Sequence, residues 1–226
     1  MKKWMVLFLC FAMVFPLAAC GAKSAGEPAQ TDQLPVSVTF DAMAEFTKAV
    51  GGDKVEISTI IPDGTEPHEF EPKAQDLKAL SDAKVFVYNG FGMETWVDDA
   101  VAAADNPNLV VVEASKGASP ITNMDEAEIA EHGQYDPHLW LSLKGAETES
   151  QNICDGLSEA DPDNAEYYQK NCDAFVSQLE DLYQEYAEKF QSADQKSIVT
   201  GHAAFAYFCR DFGLTQNSVE DVFAEG

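Results

Sequence analysis

The chain has 226 residues and carries 39 acidic against 14 basic side chains, a formal net charge of −25. A surface of that sign disfavours nucleic acid and anionic lipid and draws cations, although most of the carboxylates serve only as solvated faces. The length suits one or two domains.

Lys2 and Lys3 precede an apolar run from Trp4 to Ala19, and "LAAC" closes it at Cys20. A basic start, a short apolar core and small residues before a cut describe a secretory signal peptide over residues 1–19. The run is too short for a membrane span. The ending resembles the bacterial lipoprotein signal, which predicts cleavage before Cys20 and acylation of its thiol. An ordinary signal with a chance cysteine is the alternative. Residues 20–35 are small, polar and aperiodic, as expected of a flexible tether.

Order is predicted to begin at "VSVTF", residues 36–40, with Asp41 as N-cap for an apolar-periodic helix from Met43 to Val50. "GGDK" breaks that helix, and "VEISTII" alternates as a strand. "PKAQDLKALSDA" reads as a helix with Pro72 at its first position and Leu77 and Leu80 on one face. "KVFVYN" is the next strand, Glu94 to Ala104 the next helix, and "NLVVVEA" a further strand. Such alternation is the mark of an α/β unit with a parallel sheet, over residues 36–142.

Residues 115–138 form a long acidic loop. Lys144 to Leu157 then reads as a helix with Ala146, Ser150, Ile153 and Leu157 on one side. "ADPDN" offers Asp161 as cap and Pro162 as first residue of a much longer helix, residues 162–191. Its seam of Tyr168, Cys172, Phe175, Leu179, Leu182, Tyr186 and Phe190 recurs at steps of three and four. A coiled-coil partner competes with a domain-crossing helix as the explanation. Residues 143–195 are thus a helical linker. From 196 to 226 a second α/β unit begins with the strand "KSIVTGH" and a helix from Ala203 to Gly213. One strand and one helix have no sheet to join, so this unit is expected to be incomplete.

Five cysteines are present, of which Cys10 falls in the signal and Cys20 at the anchor. Cys154, Cys172 and Cys209 match no zinc-finger spacing. Cys154 and Cys172 flank a predicted helix turn, and both a disulfide and buried free thiols are open to them.

The four histidines are His68, His132, His138 and His202. His68 lies in "IPDGTEPHEFEP", a loop stiffened by three prolines that follows a strand. His138 follows a proline in "YDPHLWLS", where Asp136 could orient its ring. His202 follows the strand ending at Thr200. Ligands of open α/β sheets bind outside the carboxyl ends of strands, so the placement points to a site between two units. Each histidine also has a bland reading: an incidental turn residue at 68, an Asp-Pro turn before a buried strand at 138, a polar niche at a helix start for 202. No two are close enough in sequence to chelate locally, so only the fold could bring them together.

The stretch from "VTFDAMAEFTKAV" to "NGFGMETWVDDA", with "YDPHLWLS", "ADPDNAEYY" and "GHAAFAYFCRDFGL" after it, resembles the zinc/manganese class of ABC-transporter solute-binding lipoproteins. The resemblance implies two α/β lobes joined by one long rigid helix, with a metal ion held between them by His68, His138 and His202. Histidine at the third place implies Zn2+, whereas manganese members carry glutamate there; Mn2+ is the second choice. A fourth, acidic ligand is implied late in the second lobe, beyond residue 226. The family also implies a monomer anchored on the outer face of a bacterial membrane, delivering its ion to an ABC permease, and includes adhesins. His132, with Asp125, Glu126, Glu128 and Glu131, would be a reduced form of a metal-collecting loop; an ordinary solvated loop competes. A secreted zinc hydrolase is the alternative from another class, since three histidines and an open position also describe catalytic zinc. Glu69 or Glu71 would have to act as base, but "HEFEP" is not a His-Glu-x-x-His helix motif.

Overall fold

Four short runs build the first sheet, three of them rich in valine. In a computed structural model that describes residues 33–123, 129 and 133–219, β1 (Leu34–Val38), β2 (Val55–Thr59), β3 (Val85–Tyr88) and β4 (Val110–Glu113) lie all parallel in the order β2-β1-β3-β4. Val36 stands opposite Ile57 on one side and Val85 on the other, and Val85 in turn opposite Val110. Parallel strands need crossovers that cover the faces of the sheet, which is why the central strands β1 and β3 are buried on both sides while the edge strand β2 keeps Glu56, Ser58 and Thr59 outside the core. Helix α1 (Asp41–Gly51) supplies one crossover and buries Met43, Thr47 and Val50. The short α2 (Lys78–Asp82) and α3 (Val97–Ala104) supply the others, and Leu80, Phe86, Val97 and Ala100 form a second apolar cluster beneath them.

Three helix starts differ from the sequence expectation. Phe40, in extended geometry, is the N-cap of α1 and Asp41 is its first residue, where a carboxylate favours the positive helix end without capping it. Helix α2 begins at Lys78 rather than Pro72, because Asp76 accepts a bond from the Lys73 amide at 2.8 Å and ties residues 73–76 into turns. Helix α3 begins three residues after Glu94, whose carboxylate is committed to the backbone of Asn89 and Gly90.

Two long helices follow, in place of the two expected. Helix α4 (Leu143–Ala160) is capped by Ser142, whose hydroxyl accepts from the Gly145 amide at 3.0 Å. It buries Ala146, Ser150, Ile153 and Leu157, the last two in one core cluster with the valines of the sheet. A 3-10 turn, Pro162–Asn164, precedes α5 (Ala165–Ser192), so Asp161 and Pro162 open that turn and Asn164 caps the helix. Its 28 residues run about 42 Å. Tyr168 and Cys172 are buried in the core shared with α4 and α1, while Leu182 and Tyr186 remain exposed at 42% and 39%.

Beyond α5 lie β5 (Ser197–Thr200), α6 (Ala206–Phe212) and β6 (Thr215–Ser218). Here the structure corrects the sequence reading, because β5 does have a partner: β6 pairs with it in parallel, Ser197 opposite Thr215 and Thr200 opposite Ser218. The strand "TQNS" is wholly polar, so no apolar run announces it. Phe208 and Phe212 of α6 pack on Phe190 of α5, and Phe212 stacks on Tyr183. Cys20 and His132, and the acidic residues beside His132, lie outside the described residues.

Candidate metal centre

His68 is presented by the loop that leaves β2. Gly64 turns the chain at φ 75°, a backbone region that favours glycine, and Pro67 fixes the approach. The His68 amide donates to the Glu66 carboxylate, and the Phe70 amide donates to the Pro67 carbonyl. Phe70 then packs on Trp96, with ring centroids 6.1 Å apart, and so anchors the loop to the first sheet.

His138 is held more firmly. The chain around it is buried, with His138 5% and Asp136 6% exposed. Oδ1 of Asp136 accepts from the His138 amide at 2.9 Å and from its Nδ1 at 2.8 Å. Since the carboxylate only accepts, Nδ1 is the donor of this bond, which leaves Nε2 as the ring atom turned toward the other two histidines. Behind this pair, Asn89 Nδ2 donates to the Pro137 carbonyl, and Glu94 fixes Asn89 by accepting its amide. A 3-10 turn, Leu139–Leu141, follows instead of a strand, and buried Leu139 lies so close to Gly145 that a side chain on Gly145 would collide with its carbonyl.

His202 sits in the turn between β5 and α6. Its carbonyl accepts from Thr200 Oγ1 at 2.8 Å and from Gln216 Nε2 at 3.0 Å, and Gln216 Oε1 accepts from the Phe205 amide. One side chain of β6 thus clamps the whole turn.

The three imidazoles meet. His68 Nε2 and His202 Nε2 each lie 3.0 Å from His138 Nε2, and all three ligand atoms fall within 4.8 Å of one another. The single lone pair on His138 Nε2 can accept one hydrogen bond well, not two, whereas a cation between three nitrogens satisfies all of them. Tetrahedral zinc with Zn–N bonds of about 2.0–2.1 Å requires nitrogens roughly 3.3–3.4 Å apart, a few tenths of an ångström wider than seen. An all-imidazole set favours zinc, copper or nickel over the oxygen-seeking manganese. Among the described residues the cluster comprises these three, so a fourth tetrahedral position falls to another donor.

A profile for the family described as "ZnuA: Zinc-uptake complex component A periplasmic" matches residues 36–226. The chain belongs to the ZnuA family. It is similar to the high-affinity zinc uptake system protein ZnuA of Bacillus subtilis (strain 168), 39% identical over 225 residues, which cover 95% of this chain and 70% of that protein. Among solved structures, a ZnuA deletion mutant with zinc bound superposes with a TM-score of 0.75 at 33% identity, over 83% of this chain and 70% of its own. Zn(II)-bound AdcA from Streptococcus pneumoniae gives 0.74 at 37% identity, over 83% of this chain and 39% of AdcA. The shared architecture is α/β, with parallel sheets and a long helix.

Around the three histidines of this ZnuA-family chain, α6 makes a set of contacts that the sequence did not disclose. The Tyr207 hydroxyl donates to the Asp136 carbonyl at 2.6 Å and accepts from the Ile121 amide at 3.0 Å; its ring is fully buried, and burial pushes its pKa up to about 12. Arg210 donates to the Ser119 carbonyl, and Ser142 Oγ donates to the Asp211 carboxylate. Behind them lies buried Glu149, with neither oxygen hydrogen-bonded among the described residues. Burial first, and the Glu94 charge second, push its carboxyl well above the ordinary range. Glu94 is also raised by burial, against three bonds from Asn89, Thr39 and Gly90 that lower it. An aromatic hydroxyl or a mid-helix acid gives no sign in sequence of which distant backbone it will meet.

Proposed function

We propose that the chain is an extracytoplasmic solute-binding component of an ABC transporter, which captures Zn2+ with His68, His138 and His202 and delivers it to a membrane permease. The observation that carries this is the meeting of three Nε2 atoms from segments far apart in sequence, around His138. Residues 36–142 are the first lobe, 143–195 the helical linker and 196–226 the part of the second lobe present in this chain. A lipid on Cys20 would tether the protein, as a monomer, beside the permease. The zinc named in the relatives' structures and the nitrogen-only set support Zn2+ over Mn2+. Binding rather than catalysis fits the family, and Glu69 and Glu71, the bases a hydrolase would need, face solvent.

Metal analysis of the purified protein tests this. About one tightly bound zinc per molecule is expected, with most affinity lost in His68→Ala, His138→Ala and His202→Ala. Full zinc retention in all three variants would remove the receptor function.

A further inference from the structure

Two thiols take no part in the metal centre. Cys154 of α4 and Cys172 of α5 are each 0% exposed and lie in one apolar cluster with Ile153, Leu157 and Tyr168. Cys172 Sγ donates to the Ser150 carbonyl at 3.6 Å and lies 3.9 Å from Gln151 Oε1, while Cys154 Sγ lies 3.8 Å from Gln169 Oε1. Residues 150–151 therefore face 172, and 154 faces 169. That antiparallel register sets the two side chains within one helical turn of each other on facing sides of α4 and α5. Cys209 is buried on α6, in a different part of the chain.

We propose that Cys154 and Cys172 are a modification site, closed as a disulfide that clips α4 to α5. That this happens in the cell rests on the extracytoplasmic location proposed above, because disulfides persist in oxidising compartments. In the reaction the two S–H bonds break and one S–S bond forms. The two electrons and two protons pass through a mixed disulfide to the disulfide of a thiol–disulfide oxidoreductase, which leaves as a dithiol. Since both sulfurs are fully buried in the folded chain, the exchange takes place while α4 and α5 are still coming together. The pair is spaced as a hairpin clip: the turn at 161–164 brings the helices back on each other, and the sulfurs meet a short way from it.

The test is peptide mapping of the full chain, refolded from the reduced state in a glutathione redox buffer and digested with trypsin without reduction. Lys144, Lys170 and Lys189 place Cys154 in peptide 145–170 and Cys172 in peptide 171–189. We expect these two peptides as one species, two mass units lighter than the pair, with Cys209 alkylated in its own peptide. Reduction should lower the melting temperature by roughly 6–12 °C, and C154S and C172S should abolish both the linked species and the reductant-dependent shift. Free, alkylated 145–170 and 171–189 in the refolded protein, or a link from either to the Cys209 peptide, would overturn the proposal. Zinc content of the same samples reports separately on the metal site, and the state of the pair in protein taken from cells reports on its location.

Discussion

Replacing Asp136 by Asn removes a charge and almost nothing else. Oδ1 of Asp136 takes two hydrogen bonds from His138, one from the backbone and one from Nδ1, inside a buried turn. An amide oxygen can still accept at that point, but it is a weaker base, and rotation of the amide would aim an N–H at Nδ1. His138 is the nitrogen about which the other two gather, so its basicity and tilt set the whole centre. Outer partners of this kind are worth about 10–100-fold in metal affinity, or roughly 1.4–2.7 kcal/mol. Competition for Zn2+ against a fluorescent chelator gives the ratio of Kd values directly, and a melting curve without metal checks that the fold is intact. Asp136→Ala should cost at least as much. If Asp136→Asn binds zinc within threefold of wild type while melting normally, the carboxylate does not tune His138 and the reasoning fails.

Gln216→Ala should weaken zinc binding several-fold, because the carbonyl of His202 and the Phe205 amide lose their common clamp; chelator competition reads this out. Tyr207→Phe leaves the buried Asp136 carbonyl and Ile121 amide short of a partner, which should destabilise the fold by about 1–3 kcal/mol, seen in urea unfolding. Glu149→Gln should stabilise the protein at pH 8 and flatten its stability between pH 5 and 8. A carboxyl raised by burial contributes stability below its unfolded pKa and loses it as pH rises through the folded value, so the wild type declines across that window and the amide declines less, keeping only the slope from the other raised carboxyl, Glu94. Melting temperatures of both proteins across the pH range check the slope.

The first sheet could be followed in the sequence because three of its strands are valine-rich runs between turn residues and the fourth, "VEIST", alternates. The three histidines could be found because each follows a proline or a glycine at a strand or loop exit, positions that stiffen or turn a backbone. Strand β6 escaped notice because Thr215 to Ser218 is polar and is held by pairing with β5, not by burial of an apolar face. Pro72 and Asp41 misled for the opposite reason: both are good helix-start residues, but local bonds to Asp76 and the extended Phe40 decided where the helices begin. Tyr207, Gln216 and Glu94 act on partners 71, 14 and 55 residues away, and composition holds no record of such distances.

His68 and His202 reach His138 across 70 and 64 residues of chain. An ion captured there would add its own tie to the bonds that Tyr207 and Arg210 already make between these segments, and whatever free energy it gained in binding would be added to the cohesion of the folded molecule. Tight capture and easy surrender are then in direct opposition. Unloading requires an outside agent that grips the parted form more strongly than the ion-bound one, and the docking surface of a permease is where such a grip would be sought.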